Sequence, residues 1–235
     1  MLGMAKTFRQ RFGLRQQPRT PFYVAVAGNI GVGKSMLTRL LGQSLGWPMY
    51  FEPVINNPYL DDYYKDMARW SFHLQVYFLS QRFAVQKQIQ DHGGSAVQDR
   101  TIYEDVEIFA PTLHRRGCMD RRDYENYREI FRNMVAFLQA PDLIVYLWSQ
   151  PEVTFDRIRK RGRRCELDIP LEFLQDLHAA YEDWIERAPA ICPVETIDTE
   201  RVNLRDDAAA QTSLLQLIAE YHREKHVRVT GEEPA

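Results

Sequence analysis

The segment Gly28-Asn29-Ile30-Gly31-Val32-Gly33-Lys34-Ser35 constrains this chain more than any other feature. It matches G-x-x-x-x-G-K-[ST] and follows the apolar run Phe22 to Ala27, which suits a strand buried on both faces. It precedes Leu37 to Leu45, where apolar residues recur at helical spacing. Strand, glycine-rich turn and helix in that order are the context in which the motif cradles phosphate. Backbone N–H groups curl around the phosphate oxygens, and the helix N-terminus adds a positive dipole. Lys34 reaches the outer phosphates, and the Ser35 hydroxyl can ligate magnesium.

The rest of the chain continues the alternation. Trp47 to Pro53 is expected as a second strand ending at Glu52, Ser95 to Gln98 as a third, Leu143 to Trp148 as a fourth and Val194 to Ile197 as a fifth. Tyr59 to Gln90 lacks proline and glycine and reads as one or two long helices. Further helices are expected over Tyr124 to Leu138, Pro151 to about Arg161, Leu171 to about Arg187 and Ala208 to Tyr221. This is an α/β pattern, a three-layer P-loop sandwich around a five-stranded parallel sheet. The expected domain covers residues 21–222, between a basic flexible tail (1–20) and a C-terminal flexible tail (223–235).

Charge narrows the function. The chain has 235 residues, with 30 Lys plus Arg against 32 Asp plus Glu, which argues against a nucleic-acid polymer as partner. The charge is uneven: Lys6, Arg9, Arg11, Arg15 and Arg19 precede the domain without an acid, and a second cluster runs from Arg157 to Arg164. That cluster can be a solvated helix end, a nucleic-acid patch or a phosphate clamp. The 3 cysteines form no C-x-x-C, so neither a disulfide framework nor a zinc site is indicated. No apolar run approaches the roughly 18 residues of a membrane helix. A cytoplasmic protein with no membrane partner is expected.

Three kinds of nucleotide user compete: a small-molecule kinase, a GTP switch and an ATPase motor. The Asn-Lys dipeptide of a guanine-binding N-K-x-D is absent, and Leu143 to Trp148 ends in Ser149-Gln150 instead of paired acids. Kinase chemistry is favoured. It needs a carboxylate near the acceptor hydroxyl and cations around the transferring group. Glu52 is the candidate base, and Asp99-Arg100 follows the third strand at the same sheet edge.

Five segments together resemble the deoxyribonucleoside kinases: Gly28 to Ser35, Glu52-Pro53-Val54, Trp70 to Gln75, Asp99 to Asp105 and Arg161 to Glu166. The string Asp99-Arg100-Thr101-Ile102-Tyr103-Glu104-Asp105 is most similar to the bacterial deoxyadenosine and deoxyguanosine kinases. The resemblance implies that Glu52 takes the proton of the 5′-hydroxyl, while Arg100 and Lys34 stabilise the transferring phosphoryl group. It places Ser35 and Asp99 beside magnesium, and Tyr64 and Glu166 on the 3′-hydroxyl. Gln75 would pair with the base, with Trp70 and Phe109 or Phe131 packing nearby, and Arg82 and Asp105 would reach its far edge. The cluster becomes a helical lid over ATP, with Arg157, Arg161 and Arg163 on its phosphates. Cys165 stands where many relatives have a second glutamate.

In the family that the chain resembles, an Arg and Asp pair in that place accompanies purine and deoxycytidine substrates, so the resemblance implies phosphorylation of deoxyadenosine or deoxyguanosine for salvage. Mg2+ and ATP would be required, and a homodimer through the long helices is implied. A deoxycytidine or broader pyrimidine kinase, or a regulatory nucleotide-binding module without turnover, are the alternatives.

Overall fold

In the computed structural model, residues 20–51 and 57–233 are described. A parallel sheet of five strands has the order β2-β3-β1-β4-β5. Its strands are β1 (Tyr23–Gly28), β2 (Met49–Tyr50), β3 (Ala96–Asp99), β4 (Leu143–Trp148) and β5 (Val194–Asp198). Alternation along β1 and β4 divides the core in two. Ala25, Ala27, Ile144 and Tyr146 face one layer of helices. Val24, Val26, Val145 and Leu147 face α1 (Lys34–Leu45) and the C-terminal helix on the other side. Both faces are covered, which is why these strands read as unbroken apolar runs.

The first layer contains α2 (Leu60–Tyr63), α3 (Met67–His92), α6 (Arg121–Val135) and α8 (Leu171–Ile185). Of the one or two long helices expected from Tyr59, one long helix, α3, forms after the short α2. Asp66 ends the connection by accepting from Arg69 N at 3.0 Å, an N-cap that starts α3. The second strand is shorter than expected: Met49 and Tyr50 pair with Val97 and Gln98 at the sheet edge, and residues 52–56, with the candidate base Glu52, lie outside the described residues.

Most of the chain between Arg100 and Tyr124, where no element is expected from the sequence, is helical. Helix α4 (Ile102–Glu104) passes through a π-helical turn (Asp105–Phe109) into α5 (Ala110–Arg115). Pro111 lacks an N–H for a fourth-residue bond, and the widening just before it accommodates that loss. After β4 comes α7 (Pro151–Arg161), closed by Gly162 at φ 68°.

The C-terminal boundary at 222 requires correction. Helix α9 (Ala208–Thr230) continues past it because Lys225 Nζ donates to Pro21 O and to Asp142 Oδ2, each at 2.8 Å. His222 Nε2 lies 2.6 Å from Thr20 O. The last turns are therefore fastened to the start of β1, and residues 223–230 are not a flexible tail. Of the basic N-terminal tail, only Thr20 is described.

Candidate active site

The phosphate loop leaves β1 at Gly28 with φ 141°, and a Cβ there would lie 2.6 Å from the Leu147 carbonyl oxygen. At Gly31 (φ 83°) a Cβ would meet Thr154 O at 2.8 Å. Only glycine fits both the conformation and the space. Asn29 is buried and fastens the loop to α8 by donating from Nδ2 to Leu174 O at 2.9 Å. Ile30 N donates to Asn29 Oδ1 at 2.8 Å. Lys34 Nζ folds back onto the loop, 2.9 Å from the carbonyl oxygens of both Gly28 and Asn29.

Ile30, Gly31, Val32, Gly33, Lys34 and Ser35 form part of the wall of a cavity of about 1020 Å³ at the C-terminal edge of the sheet. At one end Leu74, Gln75, Phe78 and Arg82 of α3 meet Asp105 and Phe109 of the π-helical turn. Arg157, Arg161 and Arg163 also line the cavity, together with Thr199, Glu200 and residues 202–206 beyond β5. That last loop was not anticipated from sequence, because its mixed polar residues carry no motif. Tyr64 and Glu166 also line the space.

Arg100 takes a left-handed backbone, φ 66°, alone among the described non-glycine residues. Such a conformation costs about 1–3 kcal/mol and persists where neighbours over-determine it. Here Arg100 N donates to Val26 O at 3.0 Å and Gln98 Nε2 donates to Arg100 O at 2.9 Å. Arg100 Nη2 lies 3.2 Å from Gly28 O, and the guanidinium stacks 4.4 Å from the Phe109 ring centroid. Ser35 Oγ donates to Asp99 Oδ2 across the end of β3. A hydroxyl and a carboxylate side by side are hard oxygen donors of the kind magnesium takes.

The polar groups around the inner end are buried. Arg82 Nη1 donates to Asp105 Oδ1, and the two side chains are 3% and 1% exposed. The Gln75 amide oxygen is buried with no hydrogen-bond partner among the described residues. Within the lid, Arg161 and Arg163 (Nη1 at 3.2 Å from Oε1) both donate to Glu166. Two candidate phosphate ligands thus neutralise the candidate sugar ligand. Arg157 is anchored to Val32 O at 3.3 Å and to Thr199 Oγ1 at 2.9 Å.

Trp70 is not among the cavity-lining residues; its ring packs 5.9 Å from Tyr59 and 5.4 Å from His73. Five residues before Gln75 on a helix of about 3.6 residues per turn, it points to another face. Phe109 lines the cavity, whereas Phe131 packs against Tyr103 at 6.1 Å.

Tyr127 of α6, unremarked in the sequence, is fully buried, and its hydroxyl has no hydrogen-bond partner among the described residues. Burial first, then the Asp105 carboxylate, hold its pKa well above 10, while Arg82 acts in the opposite sense. Burying an unpaired hydroxyl costs stability. Tyr127→Phe should therefore raise unfolding stability by about 1 kcal/mol in urea titrations; a loss of stability would mean that the hydroxyl has a partner.

The strand order, the phosphate loop between β1 and α1 and the arginine-bearing lid define a P-loop NTPase fold in which a single cavity takes in both the phosphate loop and the buried polar residues of α3 and the π-helical turn. The chain belongs to the deoxynucleoside kinase family, whose model matches residues 24–222. It is 42% identical over 198 residues to a deoxyadenosine/deoxycytidine kinase of Bacillus subtilis, covering 83% of this chain and 91% of that one. It is 44% identical over 176 residues to a deoxyadenosine kinase of Dictyostelium discoideum, covering 75% and 71%. A solved deoxyadenosine kinase from M. mycoides, with dCMP and a flexible dCDP bound, superposes with a TM-score of 0.74 at 31% identity, covering 83% of this chain and 97% of that one. The enzyme is thus a deoxynucleoside kinase. Among the described residues, no helix is long and apolar enough to cross a membrane.

Proposed function

We propose that the enzyme transfers the γ-phosphoryl group of ATP to the 5′-hydroxyl of a purine deoxynucleoside, deoxyadenosine first and deoxyguanosine next, giving a monophosphate for salvage. The observation that carries this reading is that the Gln75 amide oxygen, without a hydrogen-bond partner among the described residues, lines the same cavity as the buried Arg82–Asp105 pair. An adenine offers an amino donor beside a ring-nitrogen acceptor, which suits a side-chain amide in two bonds. Asp105 accepts from an amino group, and a thymine methyl in the same place would leave it with a desolvated, unmatched face.

Glu52 is assigned as the base that takes the 5′-hydroxyl proton, and Tyr64 and Glu166 as the groups that hold the 3′-hydroxyl. Lys34 and Arg100 offset charge on the transferring group, with Arg161 and Arg163 joining them when the lid closes. Thr199 to Asp206 would flank the donor's base. Ser35 and Asp99 would hold magnesium, which supplies charge neutralisation between donor phosphates. Helices α3 and α6 are the faces assigned to a homodimer; Phe137, just beyond α6, is 70% exposed.

A deoxycytidine kinase is the second reading, favoured by the double name of the Bacillus subtilis relative. Mixing the protein with ATP, magnesium and each of four deoxynucleosides, then measuring ADP, tests both. The highest kcat/KM is expected with deoxyadenosine. A higher value with deoxycytidine overturns the purine preference, and equal use of thymidine overturns the account of Asp105.

A further inference from the structure

The carbonyl oxygen of Gly28, where β1 turns into the phosphate loop, faces three side-chain donors. Lys34 Nζ lies at 2.9 Å, Arg100 Nη2 at 3.2 Å and Tyr181 Oη at 2.8 Å. The Tyr181 hydroxyl carries one proton and has two acceptors, because Glu104 Oε1 is 2.7 Å away. Glu104 is fully buried. Its Oε1 also accepts from Gly28 N at 3.3 Å, its Oε2 accepts from Thr101 N at 2.9 Å, and Arg100 Nε is 3.9 Å away. One carboxylate therefore joins the root of the phosphate loop, the segment that carries Arg100 and helix α8. Neither Glu104 nor Tyr181 is among the cavity-lining residues.

We propose that Glu104 and Tyr181 are positioning residues for phosphoryl transfer, which hold the root of the phosphate loop when Lys34 and Arg100 turn from Gly28 to the donor's phosphates. The proposal rests on the reading of those two cations as phosphate ligands. A phosphate oxygen outcompetes a neutral carbonyl for charged donors. Nucleotide binding therefore draws two of the three side-chain donors from a buried carbonyl that must stay satisfied. Tyr181 is neutral and is not drawn away, so its O–H turns from Glu104 to Gly28. Burial keeps the phenol protonated far above its usual range, Arg100 opposing and Glu104 adding to the shift, so the donor is present at every working pH. Glu104 keeps its bonds from Thr101 N and Gly28 N and holds Arg100 from the Nε side.

Kinetics of Tyr181→Phe, Glu104→Gln and the double variant test this. Each single change should lower kcat by about tenfold or more, because small misplacements at the reacting centre are costly. KM for the deoxynucleoside should move by less than about threefold, since the base contacts lie elsewhere in the cavity. The double variant should be no slower than the slower single variant, because both changes cut one link. A kcat in Tyr181→Phe within about twofold of the unaltered enzyme, a change confined to KM, or multiplying losses in the double variant would overturn the proposal. Should Glu104→Gln fail to fold, Tyr181→Phe decides alone, since it removes a single oxygen. If the unaltered chain phosphorylates no deoxynucleoside, the kinase reading falls and this inference with it. An active parent with unaffected variants sinks only the inference.

Discussion

Lys34→Met should lower kcat by about 10²–10³-fold, the usual effect of removing one group that stabilises charge in the transition state. Fold and deoxynucleoside affinity should stay close to those of the parent. Methionine matches the length of the lysine stem and fills the same buried space, so the change removes charge without opening a large void. The Gly28 carbonyl keeps Arg100 and Tyr181 as donors, and the Asn29 carbonyl loses its contact from Nζ. A lost neutral acceptor contact of this kind costs about 1 kcal/mol. Lys34 Nζ makes its hydrogen bonds to the loop carbonyls, whereas the groups proposed to hold the base are Gln75, Arg82 and Asp105, so binding of deoxyadenosine without nucleotide should remain measurable by calorimetry. A kcat near that of the parent would remove Lys34 from the phosphate site.

What could be read from the sequence depended on how local the cause was. The loop from Gly28 to Ser35 was legible because its function needs specific residue types at fixed spacing. Strand β4 was legible because it is apolar throughout and buried on both faces. Strand β2 was overextended because an edge strand pairs on one side only, and its two residues carry little periodic signal. Asp105 and Phe109 are legible as site candidates, but the π-helical turn that presents them is not, since Pro111 and the wider turn break the 3.6-residue period. Glu104 accepts from Thr101 N at 2.9 Å at the start of that helix, the carboxylate half of a capping box. Its glutamate reaches far beyond a cap, to Tyr181 at 77 positions' remove, a pairing no local pattern encodes. The last turns of α9 were missed for the same reason, because Lys225 bonds to Pro21 at a separation of 204 positions.

Exchanging Arg82 and Asp105 together for Met and Ala should admit thymidine, and the single change Asp105→Ala shows why both must go. The pair is almost fully enclosed, and the Arg82 guanidinium also stacks 4.6 Å from the Phe78 ring centroid. Removing only the carboxylate leaves a buried cation without that partner, which costs about 3–5 kcal/mol in measured cases. The single variant should therefore be markedly less stable than the parent. Replacing both members by apolar side chains removes the desolvation penalty with the attraction, and such exchanges are often neutral or stabilising. The double variant should recover most of the loss. Its substrate choice should shift as well, because the pocket then offers a methyl-sized apolar space where it held an acceptor for an amino group. The ratio of kcat/KM for deoxyadenosine over thymidine should fall by about 10²-fold or more. Stability and selectivity are separate readouts of the same pair. If stability recovers while thymidine stays excluded, Arg82 and Asp105 form a structural ion pair and base choice lies with Gln75 and its neighbours.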